Sequence, residues 1–146
     1  MAERMTGRQA VTAFLRHDGR ILLVRRSRRI GTYQGRWAGI SGFLEGADPL
    51  ERAFQEIRQE TGLSREQVRL VCSAPPMKVV AYDLGTLWVV HPFLFEVADR
   101  GAIRLDWERV GMQWVAPEEV AQHHTVPRLA EALAGCLKRE RSSGHV

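Results

Sequence analysis

Lysine and cysteine are scarce in this chain of 146 residues, and long apolar runs are missing. Cys72 and Cys136 stand far apart with no Cys-x-x-Cys pairing, which speaks for a reducing compartment and against a disulfide-stapled secreted scaffold. The best apolar run, residues 87–90 (LWVV), stops at His91-Pro92, far short of the roughly 20 residues that span a bilayer. The opening Met1-Ala2-Glu3-Arg4-Met5 lacks the apolar stretch of a signal peptide, and no repeat or low-complexity block follows. These absences lead to the expectation of a cytoplasmic protein with no membrane partner. The length suits a single domain over residues 1–146, with 1–7 and 141–146 as frayed tails. A chain of this size buries roughly two-thirds of its unfolded surface and needs neither disulfide nor structural metal to fold.

Lys78 and Lys138 are the only lysines, so arginine supplies 19 of the 21 basic residues, against 17 acidic ones, for a net charge of +4. Arginine grips phosphate through two parallel N–H bonds where lysine acts as a point charge. The bias suits a phosphate-bearing ligand, although a general preference for arginine explains it equally well. A net +4 is modest, and no RNA-binding motif with interleaved aromatics is present. Nucleic acid is therefore not expected as a partner, except as capped RNA.

Residues 10–15 and 20–24 read as strands joined by a His17-Asp18-Gly19 hairpin turn. A polar loop over 25–36 leads into a short strand at 37–41. From 48 to 62 the helix signals agree: Asp48 as N-cap, Pro49 at the first position, Glu51 where a capping-box acid belongs, and Gly62 as left-handed C-terminal cap. Leu50, Ala53, Phe54 and Ile57 recur at helical spacing. Strands are expected at 68–73, 77–82, 87–97 and 113–115, then a short helix from Pro117 and a terminal helix over 126–139 capped by Thr125. The His91-Pro92 step is expected to bend or end a pairing region. This order favours an α/β fold in layers, with a mixed, largely antiparallel sheet.

Within the 49–61 helix, Glu56 and Glu60 fall one turn apart on a flank of the apolar stripe. Oxygen ligands so spaced suit Mg²⁺ or Mn²⁺, which keep several waters and accept phosphate oxygens in their remaining positions. A solvated helix face with Arg52 pairing to Glu56 at i,i+4 accounts for the same spacing.

Read from Gly42 to Leu63, the sequence GFLEGADPLERAFQEIRQETGL resembles the Nudix box, G-x5-E-x7-R-E-U-x-E-E-x-G-U, where U is a bulky aliphatic. Glu56, Ile57, Glu60, Gly62 and Leu63 fall on motif positions. Residues 20–26, 37–42 and 114–119 extend the resemblance to roughly residues 8–140. Three departures stand out. Gly42 to Glu56 is one residue short, Gln55 replaces the motif arginine, and Gln59 replaces the first glutamate of the E-E pair. The loop acid is matched by Asp48, or by nothing if Ala47 takes that register.

The resemblance implies a Nudix-type α/β/α sandwich and a Mg²⁺- or Mn²⁺-dependent pyrophosphohydrolase. Its substrate would be a small molecule, a nucleoside diphosphate linked to another moiety, cleaved by in-line attack of water on phosphorus. It implies Glu56 and Glu60 as metal ligands, the Ser41 carbonyl as a third, and Gln59 as a weak ligand or the holder of a coordinated water. Gly42 belongs to the loop facing them. The segment 106–114 resembles the one that supplies a catalytic glutamate, which places Glu108 as base, with Glu45 as competitor. Arg25 and Arg26, at a strand end, are candidates for substrate phosphate, Arg26 the better fixed; a solvated cationic loop is the alternative. Trp88 and Cys72 read as buried strand residues, Trp37 as packing under the metal loop, and His123-His124 as solvated. Selectivity falls to 25–36, 74–83 and 99–111. A catalytically weak sensing module, with Gln55 and Gln59 as its signs, is the second reading, and a homodimer is compatible with either.

Overall fold

The computed structural model describes residues 6–27, 33–81, 84–105 and 109–143. Its strands in chain order are β1 (Thr6–His17), β2 (Arg20–Arg26), β3 (Trp37–Ala38), β4 (Ile40–Phe43), β5 (Val68–Ser73), β6 (Met77–Ala81), β7 (Thr86–Val97) and β8 (Arg109–Val115). The α-helices are α1 (Pro49–Thr61) and α2 (Leu129–Ser143). The two twelve-residue strands, β1 and β7, lie side by side in parallel, from Thr6 opposite Thr86 to Arg16 opposite Glu96. Each divides its outer edge between two antiparallel partners. β1 takes β4 at residues 10–13 and β2 at 16–17; β7 takes β6 at 86–90 and β5 at 93–97. β2 continues outward to β3 and β8. The sheet is mixed and largely antiparallel.

Alternation along the central strands sends side chains to two faces. Val11, Ala13 and Leu15 join Phe93, Phe95, Ala53 and Ile57 in the core beneath α1. Phe14 joins Ile21, Leu23, Leu94, Leu133 and Cys136 beneath α2. Helices on both faces make an α/β/α sandwich, and central strands covered on both sides have to be apolar on both. Each fully buried Leu, Ile or Phe contributes about 1.5–3 kcal/mol relative to exposure. Burial in the α2 layer also pushes the Cys136 thiol up to about 12, and both cysteines are free.

Several elements differ from the sequence reading. β1 begins at Thr6 and α2 runs to Ser143, so residues 6–7 and 141–143 belong to elements rather than tails. α2 starts at Leu129 and not at 126, because Arg128 has a left-handed φ of 61° that no α-helix accommodates. The strand at 37–41 is interrupted at Gly39. Pro92 does not break β7: the ladder with β1 continues past it, and its missing N–H falls where the outer edge passes from β6 to β5. His123 is half-buried, not solvated, with Nδ1 3.1 Å from the Glu119 carbonyl and its ring edge-on to Trp37.

Candidate active site

β4 and α1 are joined by a turn only a few residues long. Glu45 and Gly46 both have positive φ, 50° and 78°, and the Ala47 N–H returns to the Leu44 carbonyl at 2.9 Å. Asp48 then caps α1, its carboxylate accepting the Glu51 N–H at 3.1 Å. Of the two registers left open for the loop acid, this leaves Asp48 engaged at the cap and Ala47 beside the turn. The Glu51 carboxylate turns to Arg65, 2.6 Å away.

α1 presents its acidic flank inward. Glu60 is 2% exposed and the Glu56 side chain 14% exposed, so the solvated-face alternative does not describe this pair. Gly42 lies against Glu56 so closely that a Cβ on it would overlap the carboxylate. The β4 strand thus cradles Glu56 only because residue 42 has no side chain. Gln59, exposed, stands on the same flank.

These groups line a cavity of about 610 Å³. Its floor is a sheet face whose register follows from the ladders: Ser41 opposite Thr12, Phe43 opposite Ala10, Ala10 opposite Val90, Val90 opposite Met77, and Trp88 opposite Val79. From β4 to β6 is three strand spacings, about 14 Å. One end holds Ser41, Gly42, Glu45, Arg52, Glu56, Gln59 and Glu60; the other is walled by Met77, Val79, Trp88 and Val90 and roofed by Leu129 and Ala132. Trp88 is not a core residue as expected. Its ring stacks on half-exposed Phe43 at 5.5 Å, Arg8 caps both rings, and its buried Nε1–H has no hydrogen-bond partner.

Arg26 and Tyr33 line the cavity; Arg25 does not, since it is exposed with Nε donating to the Gly35 carbonyl at 3.2 Å. Arg25 is thereby set apart from the group it was assigned to. Trp37 packs under α2 and against His123 rather than under the acidic loop. Glu108 lies outside the described residues. Arg52, read only as a helix-face partner of Glu56, stands in the cavity with Nη2 3.5 Å from Glu45 and Nη1 3.9 Å from Glu56. Among the described residues, no three His, Cys, Asp or Glu side chains form a metal-binding group, and no helix is long and apolar enough to cross a membrane.

A layered α/β fold that aims two helical carboxylates into a cleft, one of them cradled by a glycine of strand β4 rather than of the loop the sequence reading assigned it to, fits a hydrolase acting on phosphoric anhydrides. The NUDIX domain model matches residues 6–136, and the chain belongs to the Nudix hydrolase family. A MutT protein from Methanosarcina mazei superposes with a TM-score of 0.77 at 20% identity, covering 99% of this chain and 100% of its own. A MutT Nudix hydrolase from Burkholderia pseudomallei gives 0.69 at 28% identity, covering 89% and 98%. The Nudix domain of a Shewanella oneidensis protein complexed with ADP-ribose gives 0.67 at 17% identity, covering 97% and 90%. No curated protein is matched by sequence.

Proposed function

We propose that this hydrolase is a Mg²⁺- or Mn²⁺-dependent pyrophosphohydrolase that cleaves a nucleoside diphosphate linked to another moiety. The observation that carries the reading is the inward pair Glu56 and Glu60, one turn apart, with Gly42 held against the first. Two inward carboxylates one helical turn apart form a donor set that Mg²⁺ accepts, since it binds through one or two carboxylates and completes its shell with water and phosphate. The residues therefore fit the metal. Glu56 and Glu60 would hold it, with the Ser41 carbonyl as a third donor and Gln59 offering a neutral oxygen. When bound, the metal neutralises the diphosphate and polarises phosphorus.

The chain's own groups do the rest. Arg26 takes a phosphate distal to the cleaved bond. A carboxylate accepts the proton of the attacking water as its oxygen bonds to phosphorus and the bridging oxygen leaves; Glu108 is our assignment for that base, with Glu45 the competitor. The apolar end, about 14 Å away across the sheet, takes the base, with Trp88 as its flat wall. Two features support a small-molecule substrate of this length: the two-ended cavity, and the ADP-ribose held by the Shewanella domain. We place the protein in the cytoplasm as a single domain.

Turnover of a panel of nucleoside diphosphate derivatives, with Mg²⁺, Mn²⁺ or chelator, tests the reading. Metal-dependent cleavage that falls at least about a thousandfold in Glu56→Gln is expected, the range that loss of a central catalytic group produces. Nucleotide binding without turnover by the unmutated protein would favour a sensing module. The same assay on Glu108→Gln and Glu45→Gln identifies the base.

A further inference from the structure

Two arginines in this fold face carboxylates in opposite ways. Arg16 is closely paired: its Nε, Nη1 and Nη2 donate to Glu96 and Glu140 at 2.9, 2.9 and 2.7 Å. Arg52 is not. Its side chain is 19% exposed, yet Glu45 is at 3.5 Å, Glu56 at 3.9 Å and the Leu44 carbonyl at 3.4 Å. Its Nε is buried with no hydrogen-bond partner. Charge-assisted bonds close to about 2.7–2.9 Å when nothing opposes them. A mostly buried guanidinium left this loosely paired has room for an anion, and a buried polar group without a partner in a native fold calls for one.

Its position narrows the anion. Arg52 precedes Glu56 by one turn and lines the cavity's acidic end, while Arg58, the other arginine of α1, is exposed. Gln55 occupies the motif's arginine position, so α1 brings its cavity-facing positive charge from residue 52 instead. We infer that Arg52 is a phosphate-binding residue, its guanidinium taking a phosphate oxygen of the anhydride beside Glu56. The inference rests on the anhydride reading above. The competing role is a brace, in which Arg52 only ties the Glu45 turn and the Glu56 carboxylate together.

Calorimetric titration with methylenediphosphonate, a non-hydrolysable diphosphate, in saturating Mg²⁺ separates the two, with Mn²⁺ affinity measured by spin resonance beside it. Phosphate binding requires Arg52→Gln to weaken the diphosphonate about 10–100-fold while Mn²⁺ binds as tightly as before or more so. Arg52→Lys, which keeps the charge and the fold but loses the fork, should weaken it several-fold. Diphosphonate binding unchanged in both variants, or a loss that disappears at higher metal concentration, overturns the inference in favour of the brace. Failure of the unmutated protein to bind the diphosphonate overturns the anhydride reading and this inference with it. If Arg52→Gln does not fold, Arg52→Lys decides alone.

Discussion

The two ends of the cavity are built by different routes. The acidic end comes from one stretch of chain: β4, a turn of positive φ at Glu45 and Gly46, and the flank of α1 from Arg52 to Glu60. The apolar end is assembled from β6, β7 and the start of α2, which meet only once the sheet is complete. Contiguity fixes the chemistry of the first end within one local stretch of chain. Assembly from separate elements leaves the second free to vary without disturbing the helix that holds the carboxylates. Chemistry should therefore depend on the first end and selection on the second.

Substitutions at either end can break that division. After Glu56→Gln itself, the largest effect is expected from Gly42→Ala, whose methyl group must displace the Glu56 carboxylate or the strand beside it. A displacement near 1 Å in such a site costs about a hundredfold in kcat, with melting temperature close to the parent's. Steady-state kinetics with a melting curve checks both, and an undiminished kcat would mean Glu56 is not held by that contact. At the other end, Trp88→Leu keeps the wall apolar but removes its flat ring. KM should rise about tenfold, in the range of one lost base–aromatic stack, with kcat nearly constant. Smallest is Gln59→Glu, which adds a negative charge to the acidic flank and should tighten Mg²⁺ several-fold; a metal titration without tightening would place Gln59 outside the metal's field.

The same contrast governs what the sequence discloses. Asp48, Pro49 and Gly62 mark α1 to the residue because caps and first-turn prolines are local physics, whereas spacing alone leaves Glu56 and Glu60 as an ordinary helix face and the resemblance to the Nudix box is what singles them out. The α/β layering is legible from alternation and from the Asp18-Gly19 hairpin. Trp88 is not legible as a cavity wall, since an apolar strand reads alike whether a helix or a ligand covers it, and only the completed fold shows that stretch of β7 lining a cavity. The start of α2 is not legible because Val126 and Pro127 carry helix signals, whereas the left-handed Arg128 is tied to the Lys78 carbonyl, 50 residues away in sequence. Arg52 shows a visible i,i+4 spacing to Glu56, but only the fold tells that this face of α1 points into a cleft.

The most direct test of the division is a single kinetic comparison: kcat and KM of Glu56→Gln and Trp88→Leu on the best substrate of the panel, in saturating Mg²⁺. The expected result is a kcat collapse confined to Glu56→Gln and a KM rise confined to Trp88→Leu. A fall in kcat of similar size in both, or turnover surviving in Glu56→Gln, would contradict it.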